Sequence, residues 1–299
     1  MLTNTCIGIG TFGNLEFTKL AVQSVEDTTN KLVDFFLVVG KPGDEKTIEW
    51  LKSKNIPHSV HSSNRGFPVS VNDIYDYAFK MNNYDNLIIM GNDVLAYPYA
   101  IDNLIHVAET TDYDWVCPRE VSVFTLLKAH PELKELFAGR ELRITPEDLQ
   151  KRPWEAFDEY KNDPSYCDIR FSQTHNMCLY KKSVFDKVGY IDVNFYPAYF
   201  EDNDLVKRAL LTDLKSCTLN HTFYFHFWSR TINQETGGSN SKFFSLNSNF
   251  YIKKWGGPFL KETYSVPFNG ESNFFNLGGI KIDSREREQE VINYWKETK

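Results

Sequence analysis

Short apolar runs and amphipathic stretches alternate along the first hundred residues, and the alternation predicts strands and helices in turn. Residues 5–10 read as a short buried strand, followed by the glycine-containing turn Thr11-Phe12-Gly13-Asn14. Residues 15–27 carry Leu15, Leu20, Val22 and Val25 at helical spacing. The run Phe35-Phe36-Leu37-Val38-Val39 is apolar throughout, as a strand covered on both faces requires, and Gly40-Lys41-Pro42-Gly43 ends it. Residues 44–54 predict a helix and 57–61 a short strand. Residues 69–81 predict an amphipathic helix with Val71, Ile74, Tyr75 and Ala78 on one face. Leu87-Ile88-Ile89-Met90 is another buried strand, broken at once by Gly91-Asn92-Asp93.

This order implies an α/β fold with a mostly parallel central sheet and right-handed crossovers. Ligands of such sheets bind beyond the carboxyl ends of the strands. The loops at 11–14, 40–43, 64–67 and 91–93 are therefore expected at one edge. Residues 124–166 break the pattern with a charged, helix-prone stretch that reads as a helical insertion. Beyond Phe171 the sheet resumes, with a strand at 177–180, a helix at 182–188, a helix at 202–212 and an aromatic strand at 223–228. The tail holds a helix at 243–255 and a charged helix at 284–299. These elements divide into a main domain over 1–235 and a C-terminal extension over 236–299 with a terminal helix.

Length and composition fit this picture. A chain of 299 residues suits one large α/β domain with a C-terminal extension, or two modest domains. Its net charge of −7 gives no general attraction to a phosphate backbone, which argues against a nucleic-acid-binding module. The five cysteines are scattered without Cys-x-x-Cys spacing, so free thiols and a reducing compartment are expected. The N-terminus lacks a basic region followed by a long apolar run, and no stretch has the roughly 18 apolar residues of a membrane span. No integral membrane segment and a cytoplasmic location are the expectation. Aromatic residues make up 15%; core building should account for most of them, although such rings also stack on sugars and bases.

Four segments carry candidate chemistry. Asn92 and Asp93 follow a buried strand, where amide and carboxylate oxygens suit Mg2+ or Mn2+, although Gly-Asn-Asp also makes a plain turn. Glu201, Asp202 and Asp204 cluster at a predicted helix start after Tyr199-Phe200. The helix dipole accounts for one or two acids there, whereas a general base accounts for acids that follow an aromatic run. His226 lies among aromatics and reads either as a core residue or as a metal or phosphate ligand. Asn64-Arg65-Gly66-Phe67 joins a strand to a helix; Gly66 permits close backbone approach and Arg65 can pair with phosphate. Gly8-Ile9-Gly10-Thr11-Phe12-Gly13 also matches a dinucleotide-binding spacing, but the second strand ends in Val39-Gly40-Lys41, without the acidic residue that motif needs.

The order of these segments resembles the GT-A glycosyltransferases of family 2, a Rossmann-like fold, over about residues 4–255. The resemblance rests on Thr11-Phe12-Gly13-Asn14, on Asn64-Arg65-Gly66-Phe67 through Asn72, and on Gly91-Asn92-Asp93 at the position of the family's Asp-x-Asp motif. It continues through Lys181-Lys182-Ser183-Val184-Phe185, Val188-Gly189-Tyr190-Ile191-Asp192, Glu201-Asp202-Asn203-Asp204, His226, Ser229 and Lys254-Trp255-Gly256. It implies an inverting transfer of a sugar from a nucleotide diphosphate, a UDP-sugar by preference, to an acceptor hydroxyl. It assigns Asp93 and His226 to Mn2+ or Mg2+, Asp202 to the base, and Glu201 to an alternative base or an acceptor contact. Thr11, Phe12, Asn64, Arg65, Gly66, Asn72 and Asn92 would bind the nucleotide sugar. The sequence departs from the family pattern at Gly91-Asn92, which lacks the first Asp, and at Gly40-Lys41, where an Asp often meets the base. The acceptor is left open among a glycan, a lipid-linked sugar, a protein and a modified DNA base. A nucleotide-sugar-binding protein with a decayed site and a Rossmann oxidoreductase are the alternatives.

Overall fold

The structure is a computed structural model that describes residues 4–121, 127–128, 131–138, 141–142, 162–167, 176–227 and 242–271. In chain order it runs β1 (Thr5–Thr11), α1 (Leu15–Thr28), β2 (Asp34–Val39), α2 (Glu45–Ser53), β3 (His58–Val60), α3 (Phe67–Tyr75) with a π-helical continuation (Asp76–Met81), β4 (Asn86–Gly91), β5 (Val94–Ala96), α4 (Ala100–Thr110) and β6 (Trp115–Glu120). A two-residue hairpin, β7 (Phe137–Ala138) and β8 (Glu141–Leu142), and β9 (Tyr166–Cys167) follow. Then come β10 (Met177–Lys181), α5 (Lys182–Val188), α6 (Glu201–Leu210), β11 (Ser216–His226) and α7 (Lys242–Trp255). Most of the expected insertion, and the expected helix at 284–299, lie outside the described residues.

The sheet order is β3-β2-β1-β4-β10-β6-β11-β5, with β9 on β11. The first four strands are parallel, as the alternating pattern requires. Beyond β4 the sheet is mixed: β10 inserts antiparallel between β4 and β6, and β5 runs antiparallel to β11. Both faces are covered. Ile7, Ile9, Leu37, Val39, Ile88 and Met90 pack on one side with α1, α2 and α4. Cys6, Val38, Leu87 and Ile89 pack on the other with α3, α5 and α6. Burial on both faces explains why β2 and β4 read as continuous apolar runs.

Gly8 shows how tightly the layers meet. A Cβ there would lie 2.0 Å from Cγ2 of Ile74, so α3 packs directly on the β1 backbone. The first Gly of the Gly-x-Gly-x-x-Gly spacing therefore serves close helix–strand packing.

α7 belongs to this body as well. The sequence places it in the C-terminal extension, yet Trp255 and Lys254 are fully buried, and Phe250 and Tyr251 pack on Phe195.

Candidate active site

Parallel register brings three strand ends together. Gly10 lies beside Val38 of β2 and Gly91 of β4. The loops after these strands open on one cavity of about 420 Å³. The antiparallel β10 delivers Asn176 to the same edge, where its carbonyl accepts the Gly91 N–H at 2.8 Å. β5 pairs Val94 with His226, which places Asp93 next to the His226 ring.

Asp93 Oδ1 lies 3.3 Å from His226 Nε2. Both residues line the cavity. Burial opposes a charge on His226, but Asp93 close by, with Glu120, outweighs it and raises the imidazole pKa. The Asn176 amide meets His226 Nδ1 at 3.0 Å and fixes the ring plane. Asn92 is buried and donates to Thr18 Oγ1 at 3.3 Å, while Thr18 and Thr11 share a hydroxyl contact at 3.2 Å. This chain of polar contacts ties the Gly91-Asn92-Asp93 turn to the β1 loop.

The second acidic group enters from α6. Tyr199 and Phe200 have φ of 81° and 69°, left-handed values that bulky side chains rarely adopt. Phe244 of α7 packs on both rings, with centroids 5.2 Å away in each case. The left-handed pair turns the chain sharply into α6, so Glu201 and Asp202 face the cavity. Glu201 is 7% exposed, and its Oε2 has no hydrogen-bond partner among the described residues. Burial, reinforced by the Asp202 charge, pushes the Glu201 carboxyl well above the usual range. Burial likewise lifts Asp202 to about 6, against the opposing pull of the Asn203 N–H, which Asp202 Oδ1 accepts at 2.7 Å.

The third acid of the cluster has a different task. Asp204 is fully buried and accepts from Arg208 Nε at 2.9 Å, from Trp255 Nε1 at 2.8 Å and from Lys254. Burial works against its charge, but Lys254 and Arg208 hold its carboxyl below the ordinary value. Asp204 is thus an anchor held by Lys254, Arg208 and Trp255, whereas Glu201 and Asp202 line the cavity.

Of the other expected site residues, Thr11, Phe12, Asn64, Gly66 and Asn92 line the cavity. Arg65 and Asn72 do not. Arg65 pairs with Asp73 at 3.3 Å. Asn72 is buried and bridges to Ile191, donating to its carbonyl at 3.0 Å and accepting its N–H at 2.9 Å. Gly66 has φ of 83°, and a Cβ there would stand 2.9 Å from Tyr196 Cδ2 and 3.0 Å from the Pro197 carbonyl. Its bare backbone lets the 196–200 segment close over the loop. Sequence reasoning missed Asn176, Ser70 and Phe244, which also line the cavity. Only the position of Asn176 just before a buried strand, at the edge where ligands bind, could have signalled one of them.

Among the described residues no group of three or more His, Cys, Asp or Glu side chains is arranged to hold a metal ion. The Asp93–His226 pair still has suitable chemistry. Two neighbouring ligands of an octahedral ion with bonds of about 2.1 Å stand about 3 Å apart, close to the 3.3 Å found here. Such ions are commonly held by one or two protein groups, with substrate phosphates and water completing the shell. The pair therefore fits two positions in the shell of a Mg2+ or Mn2+ ion, and does not form a closed protein cage.

The parallel half-sheet, the antiparallel β10 and the cavity at the strand ends define the GT-A fold of the glycosyltransferases. Solved structures with the same fold include the following two. One is GalNAc-T7 crystallised with UDP, GalNAc and Mn2+, with a TM-score of 0.55 at 11% identity over 86% of this chain and 49% of that chain. The other is S. aureus TarS 1–349, with a TM-score of 0.52 at 10% identity over 84% of this chain and 66% of that chain. The chain thus spans about half the length of the first and less than two thirds of the second. No protein-family model and no curated protein matches the chain. No helix among the described residues is long and apolar enough to cross a membrane.

Proposed function

We propose that this chain is an inverting glycosyltransferase that moves a sugar from a nucleotide diphosphate to an acceptor hydroxyl. The observation that carries the reading is that one cavity holds both the Asp93–His226 pair and the Glu201–Asp202 pair. The first pair suits a leaving diphosphate and the second suits an incoming hydroxyl. UDP and Mn2+ in the GalNAc-T7 crystal support a uridine diphosphate donor and a divalent ion.

In the proposed reaction Asp202 accepts the proton of the acceptor hydroxyl. The oxygen attacks the anomeric carbon from the face opposite the diphosphate. The bond from that carbon to the phosphate oxygen breaks, and its electron pair leaves on the diphosphate. The products are a glycoside of inverted configuration, a nucleoside diphosphate and a proton on Asp202. A pKa of about 6 leaves Asp202 ionised at neutral pH while keeping it more basic than a surface carboxylate. Glu201, held toward its protonated form by burial, donates a hydrogen bond to the acceptor oxygen and orients it. Asp93 and His226 would hold a divalent ion, whose role when bound is to neutralise charge on the departing diphosphate. Phe12 and Phe67 offer apolar faces to the donor, and the backbone at Gly10 and Gly40 permits close approach.

Release of UDP from UDP-sugars in the presence of Mn2+ and an acceptor panel tests the reading. The wild-type chain should release UDP, and Asp202→Asn should bind UDP yet release it at least about 100-fold more slowly. Release by Asp202→Asn at the wild-type rate moves the base elsewhere. Gly91-Asn92, which lacks the first acid of the related pattern, favours one other reading, a nucleotide-sugar-binding protein without turnover. Tight UDP binding with no release from any donor would support that second reading.

A further inference from the structure

The strained entry to α6 needs a backing, and a single face of α7 supplies it. Phe244, Asn247, Phe250, Tyr251, Lys254 and Trp255 recur at helical spacing and face the 192–204 segment. The Asn247 amide donates to the carbonyls of Phe195 at 3.0 Å, Tyr196 at 3.4 Å and Ala198 at 2.7 Å. These carbonyls lie just before the left-handed residues Tyr199 and Phe200. Lys254 is fully buried and its ammonium stands between two carboxylates, Asp192 at 2.9 Å and Asp204. Asp192 also accepts from the N–H and the amide of Asn194, at 2.9 Å and 2.7 Å, which fixes the start of the same segment.

We propose that Lys254 is a positioning residue for the catalytic carboxylates, clamping both ends of the 192–204 segment so that the first turn of α6 presents Asp202 to the cavity. Residues two apart on a helix lie about 200° apart around its axis. Anchoring Asp204 inward to Lys254, Arg208 and Trp255 therefore turns Asp202 to the opposite side, where the cavity lies. Charge compensation points the same way. Asp192 and Asp204 are both fully buried, and without the ammonium between them they would repel each other, as unpaired buried charges do. A relaxed clamp frees the left-handed turn to unwind and moves Asp202 away from the acceptor. The helix that the sequence places in an extension is thus part of the active site, with Phe244 as a wall of the cavity and Lys254 as its brace.

The inference rests on the proposed glycosyl transfer for its kinetic arm only. In the full chain, Lys254→Met should leave UDP–Mn2+ affinity within about threefold of wild type and lower kcat for UDP release at least about 30-fold. Amide hydrogen exchange over 199–204 should accelerate at least about tenfold, with exchange in β1 and β4 unchanged. If Lys254→Met does not fold, Asp192→Asn/Lys254→Met/Asp204→Asn removes all three buried charges together and should fold with the same fast exchange and low kcat. A folded variant of either kind with wild-type kcat overturns the proposal. If wild type releases no UDP from any donor, the proposed function fails, and the exchange arm still decides this inference: wild-type protection of 199–204 in the folded variant overturns it.

Discussion

Asp202→Asn should make the protein more stable while removing its chemistry. The carboxyl titrates at about 6 in the folded state, against an ordinary 3.8, because burial disfavours its charge. A folded-state pKa raised above the unfolded value means that the folded chain holds the proton longer. The associated stability is complete below about pH 4 and is lost as pH rises through about 6. At pH 8 the ionised group therefore destabilises the native state by about 3 kcal/mol, and at pH 5 by roughly half as much. The amide keeps the shape and removes the charge. Thermal unfolding of Asp202→Asn should then exceed wild type by about 5 °C at pH 8, with a gap that narrows steadily toward pH 5. The kcat of the same variant should fall by about 10²–10⁴, the usual loss on removing a general base. A pH-independent gap, or none at pH 8, would mean that Asp202 is an ordinary solvated carboxylate. The account of a base made basic by burial would then be wrong.

Other substitutions probe other parts of the structure. His226→Ala should weaken UDP binding at least about tenfold in the presence of Mn2+ and leave metal-free binding unchanged, as read by calorimetry; equal losses in both would remove His226 from the metal. Gly66→Ala forces a side chain into a left-handed position against Tyr196 and Pro197. It should cost about 1–3 kcal/mol in denaturant unfolding and slow turnover. Gly8→Ala drives a Cβ into Ile74 and should destabilise the fold by a similar amount. The loss in Gly8→Ala should be in unfolding free energy, with UDP affinity of the folded fraction retained.

The parts of the fold legible in the sequence are those whose burial leaves a periodic or continuous apolar trace. β2 and β4 are covered on both faces, so their runs are unmistakable. The α4 region left no such mark. Its N-cap, Tyr99, has φ of 65° and no capping side chain, and the buried Asp102 and Asn103 interrupt its apolar face. Asp102 is there to accept the backbone N–H groups of Asn30 and Lys31, each at 3.0 Å, across 72 and 71 residues of sequence. β6 carries Pro118, which demotes a strand pattern. Strand direction is equally invisible to pattern: β10 reads as any short buried strand, and only pairing reveals it as antiparallel.

The site divides along the same line. The loops and acids were legible because they sit at strand and helix ends, where a parallel sheet collects them. The partners that decide each role were not. Asp73 claims Arg65, and Ile191, 119 residues on, claims Asn72. Asp204 differs from Asp202 only through Lys254, Arg208 and Trp255. No local signal separates those acids.

In the proposed reaction one cavity binds a nucleotide diphosphate through a divalent ion that Asp93 and His226 would hold. Calorimetric titration of UDP into the wild-type chain and into Asp93→Ala, each with and without Mn2+, tests it most directly. Mn2+ should tighten UDP binding at least about tenfold in wild type and have no effect in Asp93→Ala. Binding that ignores Mn2+ in wild type, or that Mn2+ strengthens equally in Asp93→Ala, contradicts it.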